Sequence, residues 1–159
     1  MDDWDPVGRA GAPVPVLTIE GRGADGLTHL RRPRLTWRVE GAGPGWAQAR
    51  AVLRCSTGEM FQVVGGASAL VDWPFEEVRP RRSVRVQVRL ASADGARTGW
   101  SPPLSVAGAM LDRQEWAPLL VGRDFHGPQD GVDADRPILL RRAFALDRPV
   151  ERAFLYTTA

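Results

Sequence analysis

The stretch Val84-Arg85-Val86-Gln87-Val88-Arg89-Leu90 decides the fold. Val84, Val86, Val88 and Leu90 fall on one side of an extended chain, and Arg85, Gln87 and Arg89 fall on the other. Strict alternation marks a β-strand with one face in a core and one in solvent. The turn signal Ala93-Asp94-Gly95 closes it. The same period recurs upstream. Leu35, Trp37 and Val39 alternate with Arg34, Thr36, Arg38 and Glu40, ending at the turn Gly41-Ala42-Gly43-Pro44-Gly45. Ala47, Ala49, Ala51, Leu53 and Cys55 alternate with Gln48, Arg50, Val52 and Arg54. Shorter strands are expected over residues 14–19, 60–64, 70–73 and 104–106. Pro13 and Pro15 suit an edge position, since proline donates no ladder hydrogen bond. Residues 21–32 read as a Gly-rich connection. About seven short strands at this spacing predict a two-layered β-sandwich over residues 14–108. No segment carries a long 3.6-residue period, so helix is expected only as a single turn near residues 112–116.

The ends of the chain differ in character. Residues 1–13 are rich in Asp, Gly and Pro without any period and are expected to be a mobile arm. Residues 109–118 read as a linker. Residues 119–159 hold a short apolar run, a polar loop over 123–137, and two strands at 138–146 and 150–158. Three strands are too few to close a second sandwich, so this part reads as the truncated start of another β domain. Its open strand edges predict self-association.

With 159 residues and 17.4 kDa, the chain has room for one domain and part of another. A composition of 43% hydrophobic and 25% charged residues excludes wholesale disorder. No run reaches the ~18 apolar residues of a membrane-crossing helix, so no membrane partner is expected. The acidic Met1-Asp2-Asp3-Trp4-Asp5-Pro6 lacks the apolar core of a signal peptide. With one cysteine and no such leader, the cytoplasm is the default compartment, with secretion left open. All 21 basic residues are arginine, yet the formal net charge is only +2. The arginine runs at 31–34, 79–82 and 141–142 lie at turns or along strands with acids nearby. They read as solvated surface, with no nucleic-acid partner.

Hydrolysis needs two carboxylates fixed across a cleft. Glu76 and Glu77 are adjacent, so a strand would turn them to opposite faces, and they flank a turn before Pro80. The cluster Asp130, Asp133 and Asp135 offers oxygens to a hard cation but lacks the spacing of a calcium loop, and it reads as a solvated loop. His29, His126 and Cys55 are too few and too scattered for zinc. Cys55 lies on the apolar side of its strand and reads as a structural thiol. Gly21-Arg22-Gly23 has no helix behind it to bind phosphate. No catalytic residue, cofactor or metal is therefore expected. Six tryptophans remain. Trp37 is expected in the core, Trp73 and Trp100 at the rim, and Trp116 plugging the linker. Trp46 and Trp4 are the least constrained. Trp46 and Trp116 are the candidate carbohydrate contacts, because an exposed indole stacks on the apolar face of a sugar.

Four stretches, in order, resemble one family. These are Arg32-Pro33-Arg34-Leu35-Thr36-Trp37-Arg38-Val39; residues 84–90 with Ala93-Asp94-Gly95 and Gly99-Trp100-Ser101-Pro102; Gly108-Ala109-Met110-Leu111-Asp112 with Trp116; and Leu139-Leu140-Arg141-Arg142-Ala143-Phe144 with Val150, Ala153 and Leu155-Tyr156. Together they resemble the N-terminal segment of bacterial α-L-rhamnosidases across residues 14–159. The resemblance implies a fibronectin type III or immunoglobulin-like β-sandwich, then the partial second β-sandwich. It further implies that catalysis resides in a later (α/α)₆ barrel, which inverts configuration with an acid and a base. No position here matches that barrel's carboxylates. Two departures stand out: strand 84–90 is aliphatic where the family is aromatic, and the 59–66 region is short. The function implied is a non-catalytic spacer or domain-packing module of a larger enzyme chain, with contact to rhamnose-containing glycans. A stand-alone carbohydrate-binding or protein-interaction sandwich is the alternative.

Overall fold

The computed structural model describes residues 13–21, 27–115, 141, 143, 145–150 and 153. The chain divides into two units, residues 1–117 and 118–159. In the second unit the described Leu146 and Val150 are exposed. The expected arm up to residue 12, Trp116, the Asp130–Asp135 loop and most of the two C-terminal strands lie outside the described residues.

The first unit is all-β. Its strands are β1 (Val14–Ile19), β2 (Leu27–Thr28), β3 (Leu35–Glu40), β4 (Gln48–Cys55), β5 (Met60–Val64), β6 (Ser83–Ser92) and β7 (Leu104–Gly108). A 3₁₀ turn at Arg113–Glu115 follows, where a single helical turn was expected. Strands β1 and β3 form one sheet. The other has five strands in the order β2-β7-β6-β4-β5. The two sheets enclose Leu17, Ile19, Leu35 and Trp37 from the first and Ala51, Leu53, Cys55, Val86, Val88, Leu90 and Val106 from the second. Period-two alternation is thus the direct cause of the core. Burying such side chains contributes roughly 1.5–3 kcal/mol each.

The structure corrects four details. The 70–73 segment is not a strand but a single bridge, Val71 to Leu35. Leu70 has a positive φ of 52°, which breaks the extended run. Trp73 then turns into the core rather than the rim, where it meets Phe75 edge to face at 5.3 Å, and its indole N–H donates to the Glu76 carbonyl at 2.8 Å. Second, the Gly-rich connection hides β2, which runs parallel to β7 through Leu27 opposite Ala107. Third, the inward pattern of β4 begins only at Ala51. The register shifts between Gln48 and Arg50, and Ala47 is exposed. Gln48 is used elsewhere: its amide accepts the Trp37 indole N–H at 2.7 Å and donates to the Gly65 carbonyl at 2.9 Å.

The fourth correction concerns Gln87, which is fully buried although it lies on the polar side of β6. Its amide lies between Ser101 and Arg54, whose Nε donates to Gln87 Oε1 at 3.0 Å. Beyond Val86 opposite Leu104, β7 no longer borders β6. The segment 96–101 takes over as a substitute strand. Ser101 N–H donates to Val88 O at 2.8 Å and Thr98 N–H to Leu90 O at 3.0 Å. In return the Val88 and Leu90 N–H groups donate not to carbonyls but to the hydroxyls of Ser101 and Thr98, at 3.1 and 3.0 Å. Gln87 completes the seal by donating to the Ser101 carbonyl at 2.6 Å.

The β1–β3 end is tied by Glu20 and Arg34, whose guanidinium grips the carboxylate at 2.7 and 2.5 Å. Hydrogen bonding to Arg34 lowers the Glu20 carboxyl below its ordinary 4.5. A lowered carboxylate pKa stabilises the fold above 4.5, and that contribution is lost as pH falls through the folded-state value. Glu20→Gln is therefore expected to lower the urea midpoint more at pH 7 than at pH 2.5. An equal drop at both pH values would count against the pairing.

Candidate functional site

Of the two tryptophans singled out as sugar contacts, Trp116 lies outside the described residues. Trp46 is half-buried against the edge of the core. It stands in the turn after β3, held by its backbone N–H donating to Gly43 O at 3.2 Å. Gly45 adopts a positive φ of 79° there, which glycine permits without strain. The turn faces residues 92–94 across an open cleft of about 400 Å³, lined also by Pro44 and Ala47. On the far side, Asp94 accepts from the Ser92 hydroxyl and from Ala96 N–H. The first of these bonds holds its carboxyl below the ordinary range. The cleft thus pairs an indole with a carboxylate kept ionised, a combination suited to a neutral polyol whose hydroxyls donate.

Glu76 and Glu77 follow the residues that turn into the core, at a bend rather than on a strand. Together with Glu59 they line a cleft of about 320 Å³. Arg79 binds Glu76 at 2.7 Å and Arg32 binds Glu77 at 3.1 Å, while Glu59 accepts from the Glu76 backbone N–H at 3.0 Å. Each carboxylate is therefore engaged in holding a turn. Cys55 is buried, with 3% of its surface exposed. Among the described residues no group of His, Cys, Asp and Glu is arranged to hold a metal ion. Nor is any described helix long and apolar enough to cross a membrane.

The sequence reading missed the outer face of the five-stranded sheet. There Trp100 is not a rim residue. The guanidiniums of Arg54 and Arg89 lie over its ring, 4.3 and 4.8 Å from the centroid. The β4–β6 register explains this, since it sets Arg54 opposite Gln87 and Val52 opposite Arg89. Arg89 also borders a cleft of about 220 Å³ with Arg50, Arg97, Val52 and Gln62.

Two sheets packed face to face around a shared apolar core make this domain an immunoglobulin-like β-sandwich. The family described as the Rha78A-like, N-terminal immunoglobulin domain matches residues 15–112, and the chain belongs to it. Among solved structures, the chain is similar to the native α-L-rhamnosidase from Aspergillus terreus, at 23% identity and a TM-score of 0.53. It is also similar to the Streptomyces avermitilis α-L-rhamnosidase complexed with L-rhamnose, at 24% identity and a TM-score of 0.58. The likeness covers 64% and 67% of this chain but only 13% and 11% of those chains, and it concerns the fold. No curated protein matches the chain.

Proposed function

We propose that this chain is a non-catalytic N-terminal module of an α-L-rhamnosidase-like glycoside hydrolase. It acts as a spacer and packing scaffold for the remainder of a larger enzyme chain. Trp46 gives it a weak contact with rhamnose-containing glycans. The observation that carries this reading is the match to an N-terminal domain family over residues 15–112. The domain organisation read from the sequence fits it: a sandwich over 14–108, a linker over 109–118 and the start of a further β domain. The engagement of Glu59, Glu76 and Glu77 in turns supports the non-catalytic part, because an inverting hydrolase needs one free acid and one free base.

The 159-residue chain is expected to release no aryl alcohol from an aryl α-L-rhamnoside above the buffer rate. Turnover that disappears in Glu76→Gln or Glu77→Gln would overturn the reading. The mass of the native product, probed with an antibody against this domain, tests the scaffold role. A species several-fold heavier than 17.4 kDa supports it.

One observation favours a second reading, a stand-alone interaction module. Strand β5 is an edge of its sheet and carries exposed Met60, Phe61 and Val64 without any charge. Such an edge accepts an added strand from another chain. A native mass of 17.4 kDa would favour this reading.

A further inference from the structure

We propose that the outer face of the five-stranded sheet binds an acidic polysaccharide, with Arg50, Arg89 and Arg97 receiving its carboxylates. This inference goes beyond the contact at Trp46, because it concerns a different surface and a charged ligand. The placement follows from register. Arg50 on β4 stands opposite Ala91 on β6, and Ala91 bridges to Arg97 on the returning segment. Arg89 is two residues along β6 from Ala91, on the same face. Neighbouring strands lie about 4.8 Å apart, so the three arginines rise from one small area of the sheet.

Six other arginines of the domain are matched with acids, while Arg82 and Arg113 are not among the described residues. Arg31, Arg32, Arg34, Arg38, Arg79 and Arg81 all have carboxylate partners. Arg50, Arg89 and Arg97 have none among the described residues, and no acid lines their cleft. Three neighbouring arginines without a carboxylate partner are complementary to an anion, and the guanidinium fork fits a carboxylate bidentately. The contact of Arg89 with Trp100 holds one fork in place.

Shape selects a polymer. The cleft of about 220 Å³ adjoins a second of about 230 Å³, and Arg50, Ala91 and Arg97 belong to both. Each is smaller than the ~300–1,000 Å³ of a pocket that engulfs a ligand. Two contiguous depressions on a flat face suit successive units of a chain lying across the strands. Val52 and Ala91 offer an apolar floor to a sugar ring. Single-stranded nucleic acid needs free aromatic faces for its bases, and the Trp100 ring already carries guanidiniums.

Affinity electrophoresis of the full chain through gels containing polygalacturonate, neutral dextran, polyglutamate or a single-stranded oligonucleotide tests the proposal. Saturable retardation by polygalacturonate alone is expected. Arg50→Gln and Arg97→Gln should each weaken it by about tenfold through loss of a bidentate contact. Arg38→Gln removes the same charge from the other sheet and should leave it unchanged. Thermal melts of the three variants confirm that they fold. Arg97→Lys, which keeps the charge and loses the fork, should restore only part of the binding. No retardation, an equal loss in Arg38→Gln, or stronger retardation by the oligonucleotide or polyglutamate would overturn the proposal. The non-catalytic reading fails on a different assay, rhamnoside turnover, so the two failures are distinguishable.

Discussion

Gly108→Ala is expected to abolish cooperative folding or to depress the melting temperature by well over ten degrees. A Cβ at this position would sit 2.3 Å from the Arg79 carbonyl oxygen, 3.0 Å from its carbon and 3.2 Å from a Val78 methyl. The nearest atom is backbone, so no rotamer change relieves the clash. Nor can the two segments separate freely. Gly108 O accepts from Arg81 N–H at 2.9 Å, and Gly108 N–H donates to Arg82 O at 3.0 Å. Ala109 N–H, next along, donates to Thr28 O at 2.9 Å and anchors β2. Relief would cost these bonds as well as packing, about 3 kcal/mol or more. For a domain of this size each kcal/mol shifts the melting temperature by about 4–8 °C. Gly43→Ala is the matched control. An added Cβ there meets nothing within 4 Å, and a change within about 0.5 kcal/mol is expected. Calorimetry on both variants decides the matter, and a Gly108→Ala protein within about 1 kcal/mol of wild type would refute the close approach.

The double variant Thr98→Val, Ser101→Ala is expected to lose roughly 2–6 kcal/mol in urea denaturation. Both hydroxyls are buried and each is an acceptor for a strand N–H. Removing them leaves the Val88 and Leu90 N–H groups buried without those acceptors, at about 1–3 kcal/mol each. Valine preserves the shape of threonine, so any loss at position 98 is the missing oxygen rather than a cavity. The two hydroxyls serve different N–H groups, so the single losses should nearly add. A double variant within about 1 kcal/mol of wild type would show that the N–H groups find other acceptors.

The sequence disclosed what depends on local periodicity. Alternation at 34–40 and 84–90 placed Leu35, Trp37, Val86, Val88 and Leu90 in the core, where they are. It could not disclose β2, because two residues carry no period and their pairing with β7 spans some eighty positions. Gln87 was read as solvated because alternation reports the face of a residue, not what later covers that face. For the candidate site, Trp46 was legible as a turn tryptophan. The arginine face was not, because the contiguous runs at 31–34 and 79–82 dominate the charge pattern, and their Arg31, Arg32, Arg34, Arg79 and Arg81 prove to be paired with acids. Arg50, Arg89 and Arg97 are scattered singly. Their signal was the outward phase of Arg50 and Arg89 on their strands, and it needed the β4–β6 register to become a surface.

The seat of Cys55 between the two sheets makes the sandwich vulnerable in one direction. In the closed molecule an oxidant in solution has almost no access to the thiol. Each brief opening exposes it, and the chance of reaction follows the opening equilibrium. Once the sulfur carries a sulfinate, its charge cannot return to an apolar site without a large desolvation cost. Transient opening is thereby converted into permanent loss, one molecule at a time. Cys55→Ala is therefore expected to slow the loss of folded protein in dilute peroxide, and an unchanged rate would count against this route.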